Sequence, residues 1–443
     1  EIVAKMPSVA EKWQEEQDRM KAGSKYFRSA DNFKYQTWTV GGRKTSSDIN
    51  LYKVSLERFT QMAKKDALFS ILVPDNFATD NGSTGIRHLV IDNYNLQEFL
   101  SFENRKGIFI AVDNRYKFAV LSFEGKNVTN NKDKTFNAFF YRHDLNDLNN
   151  DSVKMDYPFN FLTKMDPERY SMVEARTQDT FKIFKKIRTA YPALRDSHLL
   201  KVSRDFDANK ESSKFKDVKE ATQNSIYVYE GKTIEQFQIR TNAVKNVTTA
   251  DIMSCKNNED YKYYRIAFRN IASSTNKRSL IATLLPYNST GTYSIWIQRQ
   301  CDKTNISLQL FMLGFMNSYV LDFMIRQLIT TNINLPFSSQ LPVPEITDIN
   351  DSQEIIQISK ALMQENKGYY QDLDDLVSGN EYQNYEHDAL IAELNARVMI
   401  DFDLTRPEIV TLMHTFESPA HKKEVQDETQ RILDCYDKLS EEN

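Results

Sequence analysis

The chain has 443 residues, of which 40% are apolar and 27% are charged, and this size and composition indicate a globular protein with two or three domains. No run of eighteen apolar residues occurs, so the sequence predicts no membrane span. The three cysteines, Cys255, Cys301 and Cys435, are far apart and form no CxxC pair. We therefore expect free thiols, no zinc site and a cytoplasmic location.

Charge is unevenly distributed along the chain. Residues 1–160 hold 23 basic and 21 acidic side chains, residues 161–300 hold 24 and 15, and residues 301–443 hold 10 and 25. A basic middle is typical of a surface that follows nucleic-acid phosphates, and an acidic end argues against DNA contact there. Ordinary solvated faces would explain the same imbalance.

The first third of the chain has the pattern of an open α/β sheet. The Ser-x-x-Glu spacing of a capping box predicts a helix from Ser8 to about Lys21. A second helix is predicted over Asn50–Lys65, a buried strand over Leu68–Val73, and a further amphipathic helix ending near Asp92. In such sheets the loops after strand carboxyl ends carry the ligand site, which directs attention to residues 74–85.

Two further strands are predicted as a hairpin, Gly107–Val112 (GIFIAV) paired with Lys117–Phe123. The Asn- and Asp-rich stretch 127–160 has the composition of a connection between domains. Beyond it, strands are predicted at Tyr261–Phe268 and Ser279–Leu284.

The last third begins with a long apolar helix predicted over about Leu308–Leu328. Three prolines predict an extended segment over residues 335–344 (LPFSSQLPVP). From Asp351 onward the pattern indicates helices with acidic faces, which we expect to pack against the preceding domain or against a missing one.

Several catalytic signatures are absent. No two of the twelve glycines are separated by a single residue, so the glycine-rich turn of a cofactor-binding sheet does not occur. No two prolines are adjacent, which excludes the [Asn/Asp]-Pro-Pro-aromatic motif of amino-methyltransferases. Glu-x-Lys tripeptides of the kind found in nucleases begin at Glu124, Glu230 and Glu365, but this pattern is weak, and a solvated helix face explains Glu365 better.

Segments spread over residues 8–345 nevertheless resemble one family. The most specific are Phe102–Phe109 (FENRKGIF) and Ala267–Arg278 (AFRNIASSTNKR), and Tyr229–Phe237 and Leu313–Arg326 extend the likeness. They are similar to the later motifs of type IIG restriction-modification enzymes, bacterial adenine-N6 DNA methyltransferases often fused to an endonuclease. The chain departs from the family pattern at residues 208–215, where the family usually has Met-Thr-Asn-Asp-Ser-His-Leu-Phe.

The resemblance implies an α/β and then α+β architecture. Residues 1–145 would be the C-terminal part of a Rossmann-like methyltransferase sheet, residues 146–345 a mixed α+β DNA target-recognition domain, and residues 346–443 an acidic helical region. In the family, the S-adenosylmethionine turn and the Asn-Pro-Pro-aromatic motif precede the segment at which this chain begins. The expected partners are therefore double-stranded DNA and an N-terminal methyltransferase or nuclease part.

The implied function is sequence-specific DNA recognition within an enzyme that methylates adenine, and we expect this chain alone to be inactive. S-adenosylmethionine would be the cofactor of the intact enzyme, and Mg²⁺ would be needed only by an upstream nuclease. Two alternatives stay open: a stand-alone DNA specificity subunit, and a phage-defence methyltransferase without a nuclease.

Methylation of adenine within a duplex requires base flipping, and the resemblance assigns the aromatic residue that stacks on the flipped base to Phe109. A core position in the predicted hairpin is the alternative for Phe109. Arg105 and Lys106 are predicted to contact phosphates, with a purely solubilising role as the alternative.

In the middle domain, the segment Tyr261–Arg265 (YKYYR) and the later Arg269, Lys277 and Arg278 interleave aromatic with basic residues, and this segment is our leading candidate for DNA contact. The predicted contact residues there are Lys232, Tyr263, Arg265, Arg269, Asn276, Lys277 and Arg278. For Arg269 the alternative is an ion pair with an acidic residue that holds the fold, and for Lys232 it is a structural turn.

Overall fold

The computed structural model describes residues 7–45, 48–125, 134–197, 200–206, 211–256, 259–272, 276–301, 305–329, 332–333, 335–344, 352–366 and 368–442. The departure at residues 208–210, the lysines Lys126 and Lys367 of two Glu-x-Lys tripeptides, and Asp351 lie outside the described residues. The chain divides into two compact units, Glu1–Phe181 and Lys182–Asn443.

The first unit contains helices and one mixed sheet. Its helices are α1 (Pro7–Phe27), α2 (Leu51–Met62), α3 (Thr84–Asn93), α4 (Phe159–Met165) and the beginning of α5 (Gln178–Ala190), in which the division falls. Its strands are β1 (Thr39–Val40), β2 (Arg43–Lys44), β3 (Leu68–Pro74), β4 (Tyr94–Glu103), β5 (Lys117–Gly125), β6 (Thr135–Arg142) and β7 (Met155–Pro158). The predicted helices at α1, α2 and α3 and the strand at β3 are confirmed.

Within the described residues, the main sheet of this unit has the order β3-β5-β4-β6-β7. Strand β5 is antiparallel to both β3 and β4, and β4 is parallel to β6. Strands β3, β4 and β6 therefore all run in one direction. Their carboxyl ends meet the amino end of β5 at one edge of the sheet, where the connecting loops gather.

The predicted strand over Gly107–Val112 is wrong, because these residues form a loop and the partner of β5 is β4. Gly107 adopts a left-handed conformation with φ of 68°, which ends the 3₁₀ turn after β4 and is incompatible with an extended strand. The stretch 127–160 is also not simply a connection, since its described part contains β6 and β7, which pair with each other. The predicted boundary at residue 145 would separate these two strands.

The sheet core is aromatic. Phe99, Leu121, Phe123 and Phe136 are fully buried on its strands. Strand β3 is the outermost strand on the side of the sheet away from β7, and its Leu68 and Leu72 side chains are 75% and 51% exposed. Strand β3 thus presents both an open edge and an apolar face.

The second unit contains the remaining elements. Its helices, after the part of α5 that it contains, are α6 (Leu194–Ser197), α7 (Thr249–Lys256), α8 (Ile306–Met316), α9 (Tyr319–Arg326), α10 (Leu335–Ser338), α11 (Gln353–Gln364), α12 (Leu373–Leu376), α13 (His387–Asp401), α14 (Arg406–His414) and α15 (Lys422–Glu442). Its strands are β8 (Lys201–Ser203), β9 (Lys216–Asp217), β10 (Ser225–Tyr229), β11 (Ile234–Glu235), β12 (Gln238–Ile239), β13 (Lys245–Thr248), β14 (Arg265–Arg269), β15 (Ala282–Leu285), β16 (Ser289–Gly291) and β17 (Ile295–Arg299).

Small sheets organise the described residues of this unit, in the orders β16-β10-β13-β9, β15-β14-β17-β8 and β11-β12. The predicted strands at Tyr261–Phe268 and Ser279–Leu284 correspond to β14 and β15, each starting later than expected. The segment 335–344 is not extended throughout, because α10 occupies its first residues. A proline in the first turn is compatible with a helix, since the N–H that it lacks has no partner there.

The long apolar helix predicted over Leu308–Leu328 is two helices, α8 and α9, bent by 60°. The break lies at Asn317, whose side-chain amide exchanges two 3.0 Å hydrogen bonds with the backbone of Ala282, and Ser318 then caps α9. A side chain that pairs with β15 thus fixes the two helices against the sheet. Among the described residues, no single helix is long and apolar enough to cross a membrane, and the bent pair passes that test only when joined.

A buried carboxylate ties the two larger sheets together. Asp205 accepts hydrogen bonds from Arg265 at 2.9 Å, Arg299 at 3.1 Å and Thr290 at 2.7 Å. Arg265 lies on β14, Arg299 on β17 and Thr290 on β16, so this one side chain contacts both sheets. Burial opposes ionisation, but the two guanidiniums outweigh it and hold the pKa of Asp205 below its usual value.

We expect Asp205→Asn to destabilise the chain by about 3–5 kcal/mol, because it leaves the buried Arg265 guanidinium without its counter-charge, whereas Arg299 keeps its pair with Asp260. The measurement is the midpoint of urea-induced unfolding. Asp437→Asn, which removes an exposed pair with Arg406 in the same unit, is the control and should leave the midpoint unchanged. Equal midpoints for Asp205→Asn and the wild type would contradict this role.

Candidate nucleic-acid interface

The first candidate surface is the loop edge of the sheet in the first unit. Between β4 and β5 the chain forms the loop Asn104–Tyr116, which we call the edge loop. Asn104 is buried, and its side chain holds the loop from inside: Oδ1 accepts the Phe109 N–H at 2.8 Å, and Nδ2 donates to the carbonyls of Phe109 and Val112, both at 2.9 Å. The Asn104 N–H donates to the Tyr116 carbonyl at 2.9 Å, closing the loop.

Phe109 lies on this loop and is 37% exposed. Its ring packs edge-on against Phe118 of β5, with centroids 4.8 Å apart. It is therefore neither a core residue of a hairpin nor a free surface side chain. One part of the ring is anchored, and the remainder faces solvent at the edge where the loops meet.

Arg105 and Lys106 both lie on the surface, and each has an acidic partner. Arg105 donates to Glu103, whose carboxylate also lies 3.0 Å from His143 Nε2. Lys106 pairs with Asp144 at 2.6 Å. A phosphate contact by either cation would have to replace an existing ion pair, and the predictions for both remain untested.

The same edge holds a polar cluster that the sequence analysis did not identify. Lys117, the first residue of β5, pairs with Glu174 at 3.1 Å and lies 4.4 Å from the centre of the Tyr141 ring. Arg176 lies 4.2 Å from the same ring, and Tyr141 itself has an unusual φ of 56°. These residues are distant in sequence, so only the strand order reveals that they meet.

Asp75, directly after β3, belongs to this cluster. Its Oδ1 is enclosed and lacks a hydrogen-bond partner. Burial, together with the nearby negative charge of Glu174, raises the pKa of Asp75 to about 6, although a hydrogen bond from Ser101 and the charge of Lys117 oppose the shift.

The loop between β3 and α3 was the segment singled out as a possible cofactor site. Lys53 Nζ donates to the Gly82 carbonyl at 2.8 Å, and Tyr52 Oη lies 2.7 Å from Ser83 Oγ. The buried Arg87 donates to the carbonyls of Phe77 and Asp80 at 2.7 and 2.8 Å. The chain's own side chains thus fill the amino end of α3.

The second candidate surface lies on the second unit. Three backbone segments are joined there, because Tyr227 N–H donates to the Asn288 carbonyl and Asn288 N–H donates to the Tyr261 carbonyl, both at 2.8 Å. The exposed side chains of these segments form what we call the tyrosine patch: Tyr227, Lys262, Tyr263 and Tyr287. The three tyrosines are 39–42% exposed.

Of this patch, only Tyr263 was predicted from the sequence. Lys262 pairs with Glu259 at 2.7 Å, and both side chains are exposed. Tyr287 packs on the buried Tyr264 at a centroid distance of 4.3 Å, and Asp372 accepts hydrogen bonds from both hydroxyls. The turn through Asn288, which has a φ of 55°, joins the segment of Tyr287 to the segment of Tyr261–Tyr263 through the Asn288 N–H, and no local sequence signal places it there.

The Glu-Gly-Lys turn is held by internal contacts. Glu230 pairs with Lys232 at 2.9 Å and with Lys245 at 3.0 Å, and Gly231 N–H donates to Ser294 Oγ at 2.9 Å. A Cβ at Gly231 would lie 3.2 Å from the Ser294 carbonyl, so this glycine accommodates the chain's own backbone. These contacts favour the structural interpretation of the turn, although Lys232 itself is exposed.

The predicted contact by Arg265 is wrong for this conformation. Arg265 is 1% exposed and is held by Asp205 and the Ser289 carbonyl, so its guanidinium cannot reach DNA. Arg269 pairs with Glu235 at 3.1 Å and donates to the Ile234 carbonyl, as its alternative interpretation anticipated, although Glu235 is partly exposed.

Arg278 also has a structural position. It donates to Asp322 at 2.7 Å and to the Asn317 carbonyl at 2.6 Å, and its guanidinium lies 4.1 Å from the centre of the Tyr319 ring. A base contact through this enclosed side chain is excluded in this conformation. Asn276 is exposed, and its carbonyl accepts a hydrogen bond from Arg326.

Lys277 meets the acidic carboxyl-terminal region. Its Nζ lies 2.7 Å from carboxylates of both Glu424 and Glu428 on α15. The expectation that acidic helices pack against the preceding domain is confirmed for this helix. A cavity of about 200 Å³ adjoins the pair, and its lining contains three carboxylates and two permanent cations, so it does not favour an anion.

Neither a protein-family model nor a curated protein sequence matches the chain. Two solved structures have a partial likeness. The type IIG restriction endonuclease BpuSI is 12% identical to this chain. The match covers 88% of this chain and 50% of BpuSI, with a TM-score of 0.34. The type IIL restriction-modification enzyme MmeI in complex with DNA is 7% identical. The match covers 88% of this chain and 52% of MmeI, with a TM-score of 0.36. The chain spans about half the length of each.

We expect Asp75→Asn to remove the free-energy cost of ionising this enclosed carboxyl group in the folded state. Because the folded pKa lies above the ordinary value of 3.8, the folded state binds more protons than the unfolded state between pH 4 and 6, and stability falls as pH rises through that window. The variant should therefore be more stable than the wild type at pH 7 and equal to it at about pH 4. Urea unfolding at several pH values measures this difference, and a difference independent of pH would contradict the assignment.

Asn104→Ala should loosen the edge loop, because the buried amide makes three hydrogen bonds to it; we expect a loss of about 1–3 kcal/mol. Limited proteolysis should then cleave within residues 105–116 faster than in the wild type. Asn114→Ala, on the same loop but not part of this network, is the control. Equal cleavage rates for Asn104→Ala and the wild type would show that the loop is held by other contacts.

Proposed function

We propose that this chain recognises DNA as the carboxyl-terminal part of a restriction-modification adenine-N6 DNA methyltransferase. The single observation that carries the proposal is the tyrosine patch, in which three exposed tyrosines and Lys262 lie on hydrogen-bonded backbone segments in the most basic third of the chain. Aromatic faces stack on bases of any sequence, and cations bind phosphates, so the combination suits nucleic acid.

The resemblance of FENRKGIF to the family's late motif supports the methyltransferase context. In the structure that segment forms the end of β4 and the edge loop, and it presents the half-exposed ring of Phe109 at the sheet edge where loops converge. A ring held against Phe118 with one part uncovered suits stacking on a displaced adenine.

The open edge of β3 bears on whether the chain acts as part of a larger enzyme or as a stand-alone specificity subunit. An exposed edge strand with apolar side chains pairs readily with a further strand. Leu68 and Leu72 therefore favour a chain that works joined to the rest of a methyltransferase sheet over a stand-alone specificity subunit. Methyl transfer from S-adenosylmethionine to adenine N6 would be the activity of that intact enzyme, since the glycine-rich turn and the Asn-Pro-Pro-aromatic motif do not occur in this sequence.

The test is a salt titration of binding to random duplex DNA, measured by fluorescence anisotropy. We expect a linear fall of log K with log salt concentration, and Lys262→Ala should reduce the steepness by about one. Tyr263→Ala should weaken binding roughly tenfold with the slope unchanged, because it removes stacking and no charge.

Matched controls lie in the acidic region of the same unit. Tyr385→Ala removes a tyrosine that is 53% exposed, and Lys422→Ala removes an exposed lysine. Neither should alter affinity or slope. Loss of binding in the controls as large as in the patch variants would contradict the assignment, and no binding of the wild type at low salt would overturn the function itself.

A further inference from the structure

The side chain of Ile110 is 98% exposed, the most exposed of the large apolar side chains that the structure describes. Single exposed apolar residues are common on protein surfaces. Ile110 differs because the backbone around it is fixed: Phe109 on one side and Val112 on the other are both hydrogen-bonded to the buried Asn104 side chain, and Val112 N–H donates to the Phe109 carbonyl at 3.1 Å. The edge loop therefore holds Ile110 outward.

The surroundings of Ile110 combine apolar and cationic groups. Phe109, Val112 and Tyr116 on the same loop are 37–49% exposed, so the loop that carries Ile110 exposes further apolar surface. Arg105, Lys106 and Arg115 at the two ends of the loop are 58–83% exposed, and a phosphate would replace the carboxylates of Glu103, Asp144 and Asp113 with which they pair. An apolar tip between cations is complementary to duplex DNA, which has an apolar base stack between two rows of phosphates.

We propose that Ile110 inserts into the base stack of duplex DNA and fills the space that the target base leaves when it is displaced. This inference rests on the proposed function and adds Ile110 to the residues that would contact DNA. Unstacking a base step costs a few kcal/mol, and an apolar side chain in the gap offsets part of that cost by restoring contact with the neighbouring bases.

The geometry divides the two tasks between neighbouring residues. Phe109 is turned back onto Phe118, so its uncovered part faces the sheet edge, while Ile110 projects away from the loop. One residue can thus receive the displaced base while the next occupies its former place. Asn104 couples them, because its amide fixes the backbone on which both depend.

The test compares two duplexes with the purified chain: one fully paired, and one with a single abasic-site analogue next to 2-aminopurine. We expect the wild type to bind the abasic duplex roughly tenfold more tightly, because a gap already exists and no base must be unstacked. Ile110→Ala should bind both duplexes equally, and Ile110→Leu should retain the preference. The 2-aminopurine fluorescence should change on binding only where an apolar side chain fills the gap.

Val112→Ala is the matched control, since Val112 is an apolar residue of the same loop but less exposed; it should keep the preference. An abasic preference that persists in Ile110→Ala overturns the insertion while leaving DNA binding intact. Equal loss in Ile110→Ala and Val112→Ala would indicate a general apolar surface, as for a protein partner, and also overturns it. If a folded wild type binds neither duplex at low salt, the proposed function fails and this inference fails with it.

Discussion

Strand β5 lies between β3 and β4 and is antiparallel to both, and the position of every candidate group in the first unit depends on this pairing. Because β3 and β4 must then run in the same direction, their carboxyl ends share an edge with the amino end of β5. Asp75, the edge loop and Lys117 meet there although they are separated by up to forty-two positions in sequence. Any rearrangement of β5 would separate Phe109 from Phe118 and remove the floor beneath the loop.

The second unit shows a different use of its positive charge. Arg265 and Arg299 neutralise Asp205, Arg278 and Arg326 converge on Asp322, and Lys277 is covered by carboxylates of α15. Part of the positive charge of the basic third of the chain therefore lies in internal ion pairs that join sheets and helices. The cations left for a ligand are fewer than the sequence count indicates, and the aromatic faces of the tyrosine patch become correspondingly more important.

Local patterns predicted much of the fold. Helices α1, α2 and α3 and strand β3 have clear periodicity or capping signals, and each lies where those signals indicate. The hairpin failed because GIFIAV has a strand-like composition, whereas the hydrogen bonds of Asn104 and the left-handed Gly107 override that preference. The single helix over Leu308–Leu328 failed for a similar reason, since the Asn317 amide pairs with β15, and no propensity encodes a contact with a distant strand.

The candidate site was less accessible to prediction than the fold. Tyr263 and Phe109 could be selected from local segments. Strand order and turns, which the sequence does not reveal, bring Lys117 to Tyr141 in the first unit and join the segments of Tyr227 and Tyr287 in the second. Arginines were the hardest to assign, because a guanidinium suits a buried carboxylate as well as a phosphate. Burial decides between the two, and the sequence around Arg265 gives no sign of it.

The shared carboxylate of Asp372 has a consequence for ligand binding at the tyrosine patch. Because Asp372 holds the hydroxyl of Tyr287, and Tyr264 packs against its ring, the rotation of that side chain is already restricted in the free protein. A base that stacks there loses its own freedom without having to immobilise the tyrosine. Conformational entropy that a mobile aromatic residue would lose on association is instead lost during folding, so Tyr287 is already ordered for the proposed stacking.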